Sequence, residues 1–326
     1  MALDAAISIG AESAYGVAAT TAEGYEGQAD SWKTSREFME SKGFRAGMQT
    51  VRADRRRIVN MGGEGELEVD LLDSGAKALL SSAFDLAADA PGTDGAPRTL
   101  TFKTSTVSLS PSFTAQMIRP KVDGGTVVYR HLGCVATEWE FTQELDAPLK
   151  AKVSFDFQDV QHGGAALPID YPTESYAYDW TRGAVYLTRA GVETLVAVTK
   201  WTAKGVRGLK TDRRAIRGNE LKQKPERAEL PAYEGEFEVE FTSSTLGLYE
   251  AFVAGEVLGL RIAYTGVTES TNGTAASLEI RAPSIQFTGE SPEASLDDLT
   301  VMTLPFAILH GSTGDAVTVV YKEPHA

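Results

Sequence analysis

The chain has 326 residues, 42% hydrophobic and 23% charged, enough to bury one large or two ordinary domains and too apolar for a disordered polymer. Thirty-one Lys and Arg against 45 Asp and Glu leave a net charge of −14, which argues against wrapping nucleic acid as the main task. One cysteine, Cys134, excludes an intrachain disulfide and a multi-thiolate zinc site. No apolar run is long enough to span a bilayer, and the start MALDAAISIGAESAYG has Asp4 where a signal peptide needs a basic end. The expectation is a protein made in the cytoplasm, without membrane anchoring.

Along the chain, the first feature is basic. Residues 32–57 hold eight basic and three acidic side chains, a balance of +5, and Lys42, Arg45, Arg52, Arg55, Arg56 and Arg57 make them a candidate arm between subunits. Next comes EGELEVDLLDS at 64–74. Leu67, Val69 and Leu71 alternate with Glu66, Glu68 and Asp70, a period of two that predicts a strand with one wet face. Asp73 or Ser74 is placed to cap the helix that follows, whose buried stripe would be Ala76, Leu79, Leu80 and Ala83. Residues 99–109, 127–134, 136–143 and 149–160 read as strands, with turn chemistry at DGG 123–125. Pairing residues whose numbers sum to 290 sets Glu138 opposite Lys152 and Glu140 opposite Lys150. The same register sets Trp139 opposite Ala151, Phe141 opposite Leu149 and Val135 opposite Phe155, so both faces agree.

The second half repeats the first. Residues 234–244 read EGEFEVEFTSS, 170 positions after EGELEVDLLDS, with Glu236, Glu238 and Glu240 again alternating with apolar residues. Ahead of them, residues 200–227 hold ten basic and three acidic side chains, and Lys210, Arg213, Arg214 and Arg217 are the second set of candidate arm residues. The rest of the chain then carries −26, so each basic segment suits the acidic body of another copy. A second short helix is expected at 246–254, capped by Ser243 or Ser244 and buried along Leu246, Tyr249 and Val253. Residues 184–188, 192–201, 258–264, 277–287 and 299–309 read as strands, with a turn at TNG 271–273. The expected class is α+β, mainly β: two tandem β-sandwich or open-barrel units, each with one short helix. Their bounds are 1–162 and 177–326, with 163–176 as linker.

No catalytic constellation emerges. His131, His162, His310 and His325 are scattered, and metalloprotease, nucleophile-elbow, phosphate-loop and dinucleotide motifs are missing. Asp297 and Asp298 suit a solvated edge better than a cation site, and Glu66 with Glu68 is what any wet strand face shows. Cys134 reads as a small buried hydrophobe. The expectation is no enzyme, no metal and no cofactor.

The opening IGAESAYGVAAT (9–20), the polar arm, GELEVDLLDSGAKALLSSAF (65–84) and VYRHLGCVATEWEFTQELDAPLKAKVSFDFQ (128–158) resemble the tail tube proteins of long-tailed bacteriophages. That resemblance implies a structural virion protein that self-assembles into stacked rings forming the conduit for DNA ejection. It implies partners among other tail proteins (tape measure, distal tail, terminator), with genomic DNA passing through without specific binding. The wet-face acids Glu66, Glu68, Asp70, Glu138, Glu140, Glu236, Glu238 and Glu240 are the candidate lumen surface. Two units per chain favour three chains in a pseudo-sixfold ring, with six chains as the alternative. A capsid-decorating or baseplate protein shares this composition. A glycan-binding β-sandwich stays open if Trp139, Trp180 and Trp201 form an exposed face.

Overall fold

The computed structural model describes residues 5–27, 31–43, 45–47, 49–104, 111–289, 300–311 and 314–324. It is mainly β with two short helices, and its large sheets do not close into a barrel. The first half runs β1 (Ala6–Ala11), β2 (Ala22–Tyr25), β3 (Lys33–Glu40), β4 (Arg56–Asp70), helix α1 (Lys77–Ala83), β5 (Asp85–Ala90) and β6 (Arg98–Lys103). It continues through β7 (Phe113–Pro120), β8 (Thr126–Glu144), β9 (Lys150–Phe157) and β10 (Asp159–His162). After β11 (Ile169–Asp170) come β12 (Gly183–Arg189), β13 (Val192–Val196), β14 (Lys200–Val206), β15 (Leu209–Lys210), β16 (Glu226–Arg227) and β17 (Ala232–Glu240). Helix α2 (Leu246–Ala254), β18 (Leu258–Glu269), β19 (Ala275–Phe287), β20 (Val301–Ile308) and β21 (Thr318–Glu323) complete the chain.

Hydrogen bonding gives the first half the order β2-β1-β7-β8-β10 in one sheet and β3-β4-β9-β8 in the other. One long strand serves both. Up to Cys134, β8 pairs with β7 and β10; from Val135 it pairs with β9. Gly133 lies at the changeover with φ +67°, where a side chain would also run into the Tyr15 ring. The sequence reading of two strands, 127–134 and 136–143, is therefore one bent strand.

The second half pairs in the same order: β13-β12-β18-β19-β21 and β14-β17-β20-β19. Individual registers recur too. Phe113 opposite Cys134, Ala136 opposite Phe155 and Gly65 opposite Phe155 have as counterparts Leu258 opposite Ile285, Phe287 opposite Phe306 and Gly235 opposite Phe306. The β5–β6 hairpin lies between α1 and β7 and has no such counterpart.

The halves are stitched at two places: β8 pairs with β14 over seven residue pairs, and β6 pairs with β21 over six. Residues 163–176 are more than a tether, since β11 pairs in parallel with β2, and the Tyr176 amide donates to Asp73 at 2.9 Å. One core runs through both halves, from Trp139 and Phe155 to Trp201, whose Nε1 donates to the Tyr264 hydroxyl at 2.9 Å.

Three local expectations are corrected. The β8–β9 register is shifted by two residues from Glu138 onward, where Trp139 faces Val153, Glu140 faces Lys152 and Phe141 faces Ala151, and by one before it, where Val135 faces Asp156. An irregularity between Ala136 and Glu138 separates the two shifts, and the slip of two beyond it keeps Glu138, Trp139, Glu140 and Phe141 on their expected faces. Neither helix is capped as expected. The first amides of α1 donate to Glu23 and to the Tyr25 hydroxyl, side chains of β2, while Asp73 accepts from Tyr176, Val267 and Thr268. Ser243 and Ser244 make no cap on α2 either. Finally, the α1 stripe is buried as expected, but on α2 only Ala251 is buried, and Leu246 and Val253 lie in the open.

Candidate functional site

The strands from β4 to β17 form a continuous ladder, β4-β9-β8-β14-β17, with β20 beyond, and its registers align charged rows on one face. One row runs Glu68, Lys152, Glu140, Lys204, Glu234; its neighbours hold Asp70, Lys150 and Glu236, or Glu66 and Glu138, or Glu144, Lys200 and Glu238. Glu240 ends β17 on the same face. All eight candidate lumen acids thus lie together on one wet face that crosses the boundary between halves. Sequence reading missed Glu144 and Glu234, although both share the parity of the neighbours it chose. The opposite face supplies Leu67, Val69, Trp139, Phe141, Trp201, Phe237 and Val239 to the core, which is why alternation is strict.

Across these rows stand ten carboxylates against four lysines and no arginine. Each lysine takes one carboxylate: Lys150 with Glu68 at 3.0 Å, Lys152 with Glu66 at 2.9 Å, Lys200 with Glu144 at 2.5 Å and Lys204 with Glu234 at 2.9 Å. The hydrogen bond to its partner raises each ammonium's pKa, and the bond from Lys200 lowers that of Glu144. The expected Glu138–Lys152 and Glu140–Lys150 pairs do not form, because both lysines turn to β4. Six carboxylates remain beyond these four pairs, so the face is net negative.

The two basic segments are placed differently. Strand β3 and the start of β4 pair as a hairpin, with Phe38, Met39, Ile58 and Val59 exposed beside the basic residues. Arg55, Arg56 and Arg57 are exposed, as are Lys42 and Arg45; Arg56 stacks on Phe38 at 4.3 Å, and Arg52 pairs with Asp54 at 2.7 Å. The second segment begins in the sheet as β14, then crosses to the first half of its own chain. There Leu221 bridges to Met61, Arg214 meets Glu37 at 3.5 Å, and Lys222 forms a buried ion pair with Asp156. Arg213 pairs with Glu226 at 2.7 Å, Arg217 donates to the Leu221 and Lys222 carbonyls, and Lys210 lies exposed on β15.

Other candidates are spent on packing. Trp139 and Trp201 are buried, which leaves Trp180 alone of the three aromatics offered for a glycan face. His131 packs against Trp32 and Phe157, and Cys134 is buried. Asp297, Asp298 and His325 lie outside the described residues. Among the described residues no group of three or more His, Cys, Asp or Glu could hold a metal ion.

A family model described as phage tail tube protein matches residues 2–307, nearly the whole chain. The chain belongs to the phage tail tube protein family. No curated protein matches it closely enough to be described as a relative. Membership makes it a structural tail tube protein of the virion and implies assembly into a tube with other tail proteins. Among the described residues no helix is long and apolar enough to cross a membrane.

Proposed function

We propose that this tail tube protein forms closed rings that stack into a conduit for DNA, with the acidic sheet face lining the bore. The observation that carries the reading is the sheet itself, five strands from β4 to β17 whose four charged rows, from the row of Glu66 and Glu138 to that of Glu144 and Glu238, hold ten carboxylates with Glu240, four lysines and no arginine. Duplex DNA carries about one negative charge per 1.7 Å of axis, so arginine clusters on the wall would hold it by many phosphate contacts. A net-negative wall lets it slide, and genomic DNA passes without specific binding. The chain acts by position and self-association, with no catalysis and no cofactor.

Each half serves as one ring position, 1–162 and 177–326, with 163–176 joining adjacent positions; the recurring strand order supports this. Three chains then make a pseudo-sixfold ring. The exposed β3–β4 hairpin, with Arg55, Arg56 and Arg57, reaches a neighbouring subunit or ring. The second basic segment, through Lys222 and Arg214, already makes the corresponding reach within the chain. Electron microscopy of the concentrated protein tests the reading. Stacked rings or tubes with an acidic bore are expected; a stable monomer, or a bore dominated by arginine and lysine, rejects it.

A further inference from the structure

The recurring strand order exposes one asymmetry. Helix α1 is covered: five of its seven residues are buried. Its counterpart α2 carries five large apolar residues and one charge, Glu250, yet only Ala251 is buried: Leu248, Tyr249 and Phe252 are half-buried against the core, and Leu246 and Val253 are exposed. An apolar stripe wider than the face a helix turns to its own core calls for a second neighbour. Beside it runs β13, paired among the described residues with β12 alone, whereas its counterpart β2 also carries β11. Between α2 and β13 opens a groove of about 730 Å³, lined by Val192, Leu195, Val198, Thr242 and Leu248 among others. Val192 and Leu195 on its edge are 63% and 66% exposed, and Val253 on α2 is 66% exposed.

Within the chain, the end of the β18–β19 hairpin sits against Asp73, just ahead of α1, and against the β5–β6 loop. The Val267 and Thr268 amides donate to the Asp73 carboxylate at 3.1 and 2.9 Å, and the Asn272 amide donates to the Gly95 carbonyl at 3.1 Å. The repeat offset of 170 makes Ser243, just ahead of α2, the counterpart of Asp73. The matched registers make the β7–β8 hairpin the counterpart of β18–β19. That hairpin projects: residues 121–126 are all exposed, and Val122 at its tip is fully so.

We propose that the β7–β8 hairpin of a second copy seats at the start of α2, with Val122 entering the groove between α2 and β13. It repeats between chains the contact that β18–β19 makes with Asp73, ahead of α1, inside one chain. Charge permits this seat: Arg119 and Lys121 outnumber Asp123 at the tip, Glu240 lines the groove, and Arg189, which also lines it, is held by Glu256 at 2.6 Å. The hairpin and the groove lie on different surfaces, so the contact is head-to-tail and propagates around a ring. The proposal rests on the tube reading, because it needs another copy in contact.

The test uses the full chain, whose one native thiol, Cys134, is buried and therefore silent. Val122→Cys and Ser244→Cys are combined, and the assembled protein is treated with a short bismaleimide. A ladder of covalent multimers is expected from the double variant and none from either single variant. Val122→Glu, at a wholly exposed position, is expected to lower the assembled fraction at least about tenfold, the weight of one buried valine. Assemblies that give no ladder, or a product linked only within one chain, overturn the seat and leave the tube reading standing. Wild-type protein that never assembles overturns both.

Discussion

Lys222 reaches from the long loop after β15 into the first half and meets Asp156, with both side chains nearly out of water. Burial raises the Asp156 pKa, against the opposing pull of Lys222. A carboxyl whose folded pKa is raised favours folding below its unfolded value and loses that contribution as pH rises through the folded value. Removing the lysine leaves a buried charge with no counter-ion, so Lys222→Met is expected to cost about 3–5 kcal/mol near neutral pH. The cost is smaller at about pH 5 than at about pH 8, because the protonated acid needs no partner. Urea midpoints at both pH values check this, and an equal loss at both would mean that Asp156 stays solvated. Nothing in the sequence pointed to this pair. The two residues are 66 positions apart and ordinary in type, and only the crossing of the loop brings them together.

At the scale of elements, strict alternation on a half-buried sheet was legible because one face must be dry and the other wet. That Glu66, Glu68, Glu138, Glu140, Glu236 and Glu238 stand on the wet face therefore follows from the alternation alone. Register was not legible: sums of 290 and 292 keep the same faces, so hydrophobic pattern cannot separate them, and only the irregularity after Ala136 does. The caps were hidden for another reason. The residues that serve the amides of α1, Glu23 and Tyr25, are more than 50 positions upstream. The seam between halves offers a sharp test. A side chain added at Gly205 on β14 would meet the Trp139 indole of β8 and the Tyr233 ring. Gly205→Val is expected to destabilise the protein by about 1–3 kcal/mol through overpacking, read as a lower melting temperature. Changing Arg55, Arg56 and Arg57 to Glu has the opposite profile. These exposed residues contribute little to the fold, so circular dichroism stays unchanged while polymerisation stops. Normal tubes from that variant would remove the β3–β4 hairpin from the assembly contact.

For the whole molecule, the question is how many chains close one ring. The seam of β8 with β14 joins the last strand of one four-strand set, β3-β4-β9-β8, to the first strand of the next, β14-β17-β20-β19. If each set is one ring position, one chain spans two positions, and the seam is a covalently secured example of the joint that separate chains must make. At the far ends, β3 pairs among the described residues with β4 alone, so an edge is left for a neighbour. A head-to-tail joint repeated at a rotation that divides the full turn closes into a ring. Six positions at two per chain need three chains. The positions are not identical, since the β5–β6 hairpin occurs only in the first half and pairs with β21 of the second. A three-chain ring therefore carries three β5–β6 hairpins at alternate positions, and its outline has threefold symmetry. Class averages of rings seen end-on are expected to show that threefold modulation over a sixfold wall. Six copies of residues 64–84 in one ring, with strict sixfold averages, would instead assign one position to each chain and leave the second half to decorate the tube.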